Sequence, residues 1–148
     1  MSSAQQYRFN ISAPNLINIC VDEKNDEEIS GRLYHCYSRE AVRFTNIIEL
    51  IREAEKLFDT IAFPQASTKT RQFADECRQQ AEPVKRPAKV MHQEDVAGYT
   101  GKLGTFITSV RFRQKSTWQG EFFWMEKEEN RQFANMLDFI RLIDDALK

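Results

Sequence analysis

ISGRLYHCYSREAVRFTNIIELIREAEKLFD (residues 29–59) and WQGEFFWMEKEENRQFANMLDFIRLIDDALK (residues 118–148) match without a gap when the chain is shifted by 89 positions. Unrelated segments of average composition would share about two identical residues over this length. These two share six identical pairs: Gly31 and Gly120, Glu40 and Glu129, Phe44 and Phe133, Asn46 and Asn135, Ile51 and Ile140, and Arg52 and Arg141. The apolar positions match as well, so the pattern indicates an internal repeat.

Each repeat unit carries an apolar stretch upstream and an amphipathic segment at its end. The stretches NLINICVDE (15–23) and GTFITSVRFRQ (104–114) alternate apolar with polar residues and are rich in β-branched residues, which predicts strands. The polar segments 23–28 and 114–117 predict hairpin connections to a second strand. At the end of each unit, apolar residues recur at helical spacing, and Asn46 and Asn135 stand where an N-cap is expected.

These elements predict an α+β fold made of a tandem ββα repeat. The chain 1–148 is expected to form a single domain, with repeat units at about 15–60 and 104–148. Together the units predict a four-stranded antiparallel sheet with two helices on one face. Residues 61–103 hold three of the four prolines and few large apolar residues, which predicts a loop-rich linker with a short helix at 71–82. Because an antiparallel sheet can leave one face open, the second face is the place where binding is expected.

Composition and charge indicate where the protein is located rather than what it does. The formal net charge is −1 and the pI is about 6.2, so no overall field attracts the chain to nucleic acid or to membranes. No apolar run is long enough to cross a bilayer, and the N-terminal segment lacks the pattern of a signal peptide, so a cytoplasmic protein without a membrane partner is expected. Cys20, Cys36 and Cys77 are widely spaced, which predicts free thiols.

The sequence contains none of the common catalytic motifs for nucleotide binding, metalloprotease or hydrolase chemistry. It has two histidines, His35 and His92, which are few for metal binding or general base catalysis. His35 and Cys36 are neighbours in a predicted strand and would face opposite sides, so they are not expected to form a catalytic dyad. We therefore expect no catalytic residues, no metal and no cofactor, and the sequence speaks against an enzyme.

Surplus apolar surface in residues 118–147 favours a protein–protein interaction module as the first function. The partner would be a second copy of the chain, giving a homodimer, or another protein. The expected contact residues lie on the aromatic strand and the second helix: Trp118, Phe123, Trp124, Phe139 and Leu142.

Nucleic-acid binding through an open, basic and aromatic sheet face is the alternative. Strand alternation would place Arg111, Arg113 and Lys115 on one face, where Arg32 and Tyr34 could join them as a platform for phosphates and bases. Arg111 and Arg113 could instead pair with Glu121 or Glu126 across a hairpin. A second alternative is a site for a small anionic ligand, with Thr68, Thr70 and Arg71 as contacts.

The segments GRLYHCY, FPQASTKTRQF, STWQGEFFWME and FIRLIDDAL together resemble a family of small proteins from anaerobic Firmicutes and their mobile elements. The likeness covers most of the chain beyond residue 20, and it brings no activity with it. It implies a bacterial cytosolic setting near conjugative or phage-derived genes, where a binding module could sequester or regulate a host component. It also singles out Pro64, Gln65, Thr68, Thr70 and Arg71 in the linker.

Overall fold

The computed structural model describes residues 13–26, 28–63, 88–114 and 117–148. Within these ranges the chain forms six strands and three helices. The strands are β1 (Ile17–Asn25), β2 (Glu28–His35), β3 (Val42–Phe44), β4 (Gly104–Gln114), β5 (Thr117–Trp124) and β6 (Glu129–Phe133). The helices are α1 (Ile47–Ile61), α2 (Gln93–Val96) and α3 (Met136–Ala146).

All six strands join one antiparallel sheet in the order β3-β2-β1-β4-β5-β6. The predicted four-stranded sheet with two helices, made from a tandem ββα repeat, is therefore wrong. Each half of the sheet, β1–β3 or β4–β6, has a third strand, β3 or β6, that the sequence analysis did not predict. A third helix, α2, lies between the two halves in the sequence.

The two missed strands are edge strands whose side chains carry little apolar signal. In β6, Glu129, Asn130 and Gln132 are exposed and Phe133 alone is buried, and in β3 Phe44 is the buried residue. Such strands form because their backbones pair with β5 and β2. Pairing of the backbone with the preceding strand does not depend on alternation within the edge strand itself, so periodicity could not reveal them.

The two halves meet at β1 and β4 around a pseudo-two-fold axis. Asn18 of β1 lies opposite Ile107 of β4. These two residues are 89 positions apart, so the repeat makes each the equivalent of the other. The neighbouring pairs Ile17–Thr108 and Ile19–Phe106 exchange in the same way. The axis therefore passes through the sheet beside Asn18.

Both long helices begin at the predicted asparagine caps. The Asn46 side chain accepts a hydrogen bond from the backbone N–H of Glu49 at 2.8 Å, and Asn135 accepts one from Asp138 at 2.9 Å. Each cap satisfies an N–H group that has no partner within its helix. The N-cap prediction is confirmed at both positions.

α1 and α3 cover one face of the sheet, which we call the helix face. The main core lies beneath them and includes Ile19 of β1, Phe106 of β4 and Phe122 of β5. The Trp118 ring touches both helices, since its centroid lies 5.6 Å from that of Phe58 in α1 and 5.1 Å from that of Phe139 in α3. The core is therefore continuous across the two halves.

The opposite face, which we call the outer face, is partly covered by the chain. Residues 88–103, with α2, pack over β1 and β2 through an apolar cluster that includes Tyr34, Cys36 and Val96. Asn18 donates from Nδ2 to the carbonyls of Val96 and Tyr99, both at 2.8 Å. Residues that composition assigned to a loop-rich linker thus form a structural cover.

Candidate functional site

A β-bulge interrupts each central strand at equivalent positions. The register shifts between Val21 and Glu23 in β1 and between Val110 and Phe112 in β4. Opposite the bulges lie Gly31 and Gly120, where a Cβ atom would stand 2.0 Å from the carbonyl oxygen of Cys20 and 2.2 Å from that of Ser109, respectively. Because any larger residue would collide with backbone, glycine allows the bulged strands to approach this closely.

An ion pair stands at each bulge, with its charges reversed between the halves. In the first half, Asp22 of β1 pairs with Arg32 of β2 at 2.8 Å. In the second half, Arg111 of β4 pairs with Glu121 of β5 at 3.0 Å. A shift of 89 positions superposes Asp22 on Arg111 and Arg32 on Glu121.

The first pair binds the backbone of the covering segment. Arg32 donates from Nη2 to the carbonyl of Thr100 at 2.8 Å, while Asp22 accepts from the backbone N–H of Lys102 at 3.1 Å. The hydrogen bond from Arg32 lowers the pKa of the Asp22 carboxyl below its usual value, and the same bond raises the pKa of Arg32. Both side chains therefore stay charged, and together they hold one C=O and one N–H of the segment that leads into β4.

An aromatic stack stands beside these contacts. The rings of Tyr34 and Tyr99 are parallel within 3° and their centroids are 3.8 Å apart. The Arg32 guanidinium also donates to the Tyr34 hydroxyl at 2.8 Å. In the first half, the outer face thus combines backbone hydrogen bonds with an aromatic contact.

At the second pair, two side chains of β4 are exposed, whereas the Glu121 side chain is 19% exposed. The side chain of Arg111 is 55% exposed, and Phe112 is 63% exposed, the most of the large apolar residues that the structure describes. A groove of about 480 Å³ lies beside them. Its lining consists of Arg111, Phe112, Gln119, Gly120, Gln132, Phe133, Ala134 and Asp138.

The predicted basic stripe on the outer face does not form, and the bulge is the reason. The extra residue in β4 reverses the alternation, so Arg113 pairs with Trp118 in register and points to the helix face. There Arg113 is 3% exposed and forms ion pairs with Glu55 at 2.6 Å and Asp59 at 2.9 Å. Of the predicted cross-strand ion pairs, only that of Arg111 with Glu121 is present.

The residues predicted as an interaction surface are spread over both faces. Trp118 and Phe139 are fully buried in the main core, where large aromatic side chains fill the space between sheet and helices. Trp124 and Leu142 are partly buried against that core. Phe123 lies on the outer face in a small cluster with Leu16 and Ile107. The structure therefore does not bring the five residues together as one surface.

Several predicted residues lie outside the described part of the chain. They are Thr68, Thr70, Arg71, Cys77 and Lys115, together with Pro64, Gln65 and the predicted helix at 71–82. Phe112, in contrast, is a site residue that the sequence analysis did not name, because simple alternation would place it on the face opposite Arg111 and Arg113. Its equivalent in the first repeat unit is Glu23, and this apolar-for-acidic exchange is the signal that could have indicated an exposed position.

Burial changes the pKa values of the described thiols and of the half-buried His35. Burial raises the pKa of Cys20 to about 12 and raises that of Cys36, so both thiols stay protonated near neutral pH. Both are free, as predicted. Burial also lowers the pKa of His35, whose Nδ1 accepts from the backbone N–H of Tyr37 at 3.1 Å.

Metal sites, membrane-spanning helices and similarities to known proteins are other common sources of functional evidence. Within residues 13–26, 28–63, 88–114 and 117–148, no group of three His, Cys, Asp or Glu side chains is placed to hold a metal ion. Over the same ranges, none of the helices has the length and apolar character needed to cross a membrane. No family model, curated protein or solved structure matches the chain.

Proposed function

We propose that this chain is a non-enzymatic protein-binding module of the cytoplasm, which binds another protein or a second copy of itself through the open part of its outer face. The observation that carries the proposal is the exposure of Phe112 beside the groove. Single exposed apolar residues are common on protein surfaces. Phe112 differs because it lies on a central strand of the sheet, next to a groove and an ion pair.

The energetic argument rests on the exposed ring. Covering a phenylalanine side chain contributes about 1.5–3 kcal/mol to association. That free energy corresponds to about a tenfold to hundredfold change in Kd. Apolar anchors of this kind, surrounded by polar groups that exclude water, are typical of binding hot spots.

Two of the arginines expected to bind nucleic acid are paired with carboxylates, which favours the first function over that alternative. Arg111 is paired with Glu121, and Arg113 is buried between Glu55 and Asp59. A phosphate would have to displace a carboxylate at either arginine, which offsets the electrostatic gain on which such binding depends. The anion-site residues Thr68, Thr70 and Arg71 add no geometry, since they lie outside the described residues.

The test compares Phe112→Ser with Ile48→Ser, a matched control that is 60% exposed on α1. Sedimentation equilibrium over a wide concentration range measures self-association, and affinity capture with each variant as bait measures binding to other proteins. We expect Phe112→Ser to weaken association about tenfold or more and Ile48→Ser to leave it unchanged. A wild-type chain that stays monomeric, and whose captured proteins are the same with both baits, would overturn the proposal.

A further inference from the structure

We infer that the edge strand β6 pairs antiparallel with β6 of a second copy of this chain, so that Glu129 of each copy lies opposite Arg131 of the other. The occupant is a second copy because the charges along β6 are complementary to the same charges in reverse order. The inference goes beyond the proposed function, since it concerns the backbone edge of the sheet rather than the Phe112 ring.

β6 lies at one end of the sheet. It pairs with β5, and among the strands that the structure describes none lies beyond it. An edge strand presents N–H and C=O groups that point away from its sheet, and these groups can pair with a strand of another chain. The Glu129, Asn130 and Gln132 side chains are exposed, as expected for a strand that is not covered along its free edge.

The two charged residues of β6 lie on the same face of the sheet. Arg131 lies opposite Phe122 of β5, which points into the main core on the helix face. Asn130 lies opposite Phe123, which points to the outer face. Because opposite residues of antiparallel strands share a face and successive residues alternate, Glu129 and Arg131 both point to the helix face.

Only a few registers can join two copies of β6 around a two-fold axis. For antiparallel strands this axis is perpendicular to the joined sheet, so residues of one face must meet residues of the same face. Each allowed register therefore places one residue opposite its own copy. With Arg131 at the centre, two positive charges would meet. With Asn130 at the centre, Glu129 meets Arg131 on both sides of the axis, and the charges favour this register.

The side chains that would form these contacts are accessible. Glu129 is 48% exposed and Arg131 is 40% exposed, and within one copy Nη2 of Arg131 donates to Oε1 of Glu129 at 2.5 Å. A guanidinium has five N–H donors and a carboxylate has about four acceptor positions, so one mutual contact leaves groups for a second partner. The Arg131 guanidinium also lies 5.8 Å from the centroid of the Trp124 ring, which holds it beside the edge.

The residue at the centre of the register also suits a second copy, whereas the other edge of the sheet does not. Asn130 would face its own copy, and an amide can both donate and accept a hydrogen bond. At the opposite edge, pairing all three residues of β3 would place Arg43 opposite its own copy. Because like charges directly opposite each other are destabilising, self-association is expected at β6 rather than at β3.

The experiment uses two charge reversals in the full-length chain. Arg131→Glu gives β6 two negative charges, and Glu129→Arg gives it two positive charges. Either change brings like charges together on both sides of the axis, so dimer formation should weaken about tenfold or more in sedimentation equilibrium. Because the register pairs few positions, the wild-type dimer is expected to be weak, and the concentrations extend to about 1 mM. Arg43→Glu is the matched control and should leave dimer formation unchanged, while circular dichroism establishes that each variant is folded.

Mixing the two reversed variants separates the interface from the ion pair within one copy. Both variants lack the attraction between positions 129 and 131 of the same chain. In the mixture, however, opposite charges meet at both positions between the copies. We expect the mixture to associate with about the wild-type affinity, although each variant alone does not. The double variant Glu129→Arg/Arg131→Glu should also recover the dimer.

Three results would overturn the inference. The first is a wild-type chain that stays monomeric up to about 1 mM. The second is a reversed variant that forms dimers as well as the wild-type chain does. The third is a mixture that associates no better than its components, because the reversals would then act within one copy. None of these measurements changes Phe112, so the binding of another protein through that residue is tested separately.

Discussion

Gly120→Ala should destabilise the protein by about 2 kcal/mol, because the new methyl group would enter the backbone of the neighbouring strand. Its Cβ would lie 2.2 Å from the carbonyl oxygen of Ser109 and 2.8 Å from the Cα of Val110. The collision can be relieved only if β4 and β5 move apart. Overpacking of this kind costs about 1–3 kcal/mol. Alanine restricts the unfolded chain and returns about 0.4–1 kcal/mol, which is too little to offset a collision with backbone.

Urea unfolding followed by circular dichroism measures this change as a shift of the midpoint by about 1 M. Gly98→Ala is the matched control, because its Cβ would meet nothing closer than the carbonyl oxygen of Asp95 at 3.4 Å. We expect that variant to be at least as stable as the wild-type chain. The reasoning is refuted if Gly120→Ala unfolds at the wild-type midpoint, or if Gly98→Ala is equally destabilised.

Three further predictions follow from single groups. Asn135→Ala should cost about 1 kcal/mol, measured by urea unfolding, because it removes the N-cap of α3. Since the folded-state pKa of Asp22 lies below its unfolded value, the resulting stability is present above the unfolded pKa and is lost as the pH falls through the folded pKa. Asp22→Asn should therefore lower stability at pH 7 and flatten its acid dependence in pH-dependent unfolding, and a slope equal to that of the wild-type chain would contradict this. In a Cys77→Ser background, Cys20 should resist iodoacetamide at pH 8 until denaturant is added, as followed by mass spectrometry, since its pKa is about 12.

Helix positions and strand hairpins follow from local sequence. A helix begins where a side chain can satisfy its first N–H groups. The Asn46 side chain does so in the first half of the chain, and the Asn135 side chain does so in the second half. The strand predicted at residues 104–114 coincides with β4 (Gly104–Gln114). These features depend on neighbours within a few positions, so the amino-acid sequence is sufficient to predict them.

The candidate site depends on how two strands pair rather than on the pattern within either strand alone. Alternation predicts that Arg111 and Arg113 share a face, but the bulge opposite Gly120 separates them and turns Phe112 outward. The bulge is a property of the pairing between β4 and β5, and no residue in β4 indicates it alone. Local sequence could therefore identify the charged and aromatic residues, though not their faces.

The amino-acid order by itself determined two helices with their caps, the principal strands, free thiols and the correspondence between Gly31 and Gly120, because each arises from local spacing or composition. Tertiary structure decided the edge strands β3 and β6, the burial of Arg113 and the cover over the first half of the outer face. The physical reason is that the ion pairs of Arg113 and the contacts of the cover join groups remote in sequence, whereas the edge strands depend on pairing with β2 and β5 rather than on a pattern of their own. Their energies depend on distance in space, and the open site at Phe112 exists only after those pairings are made.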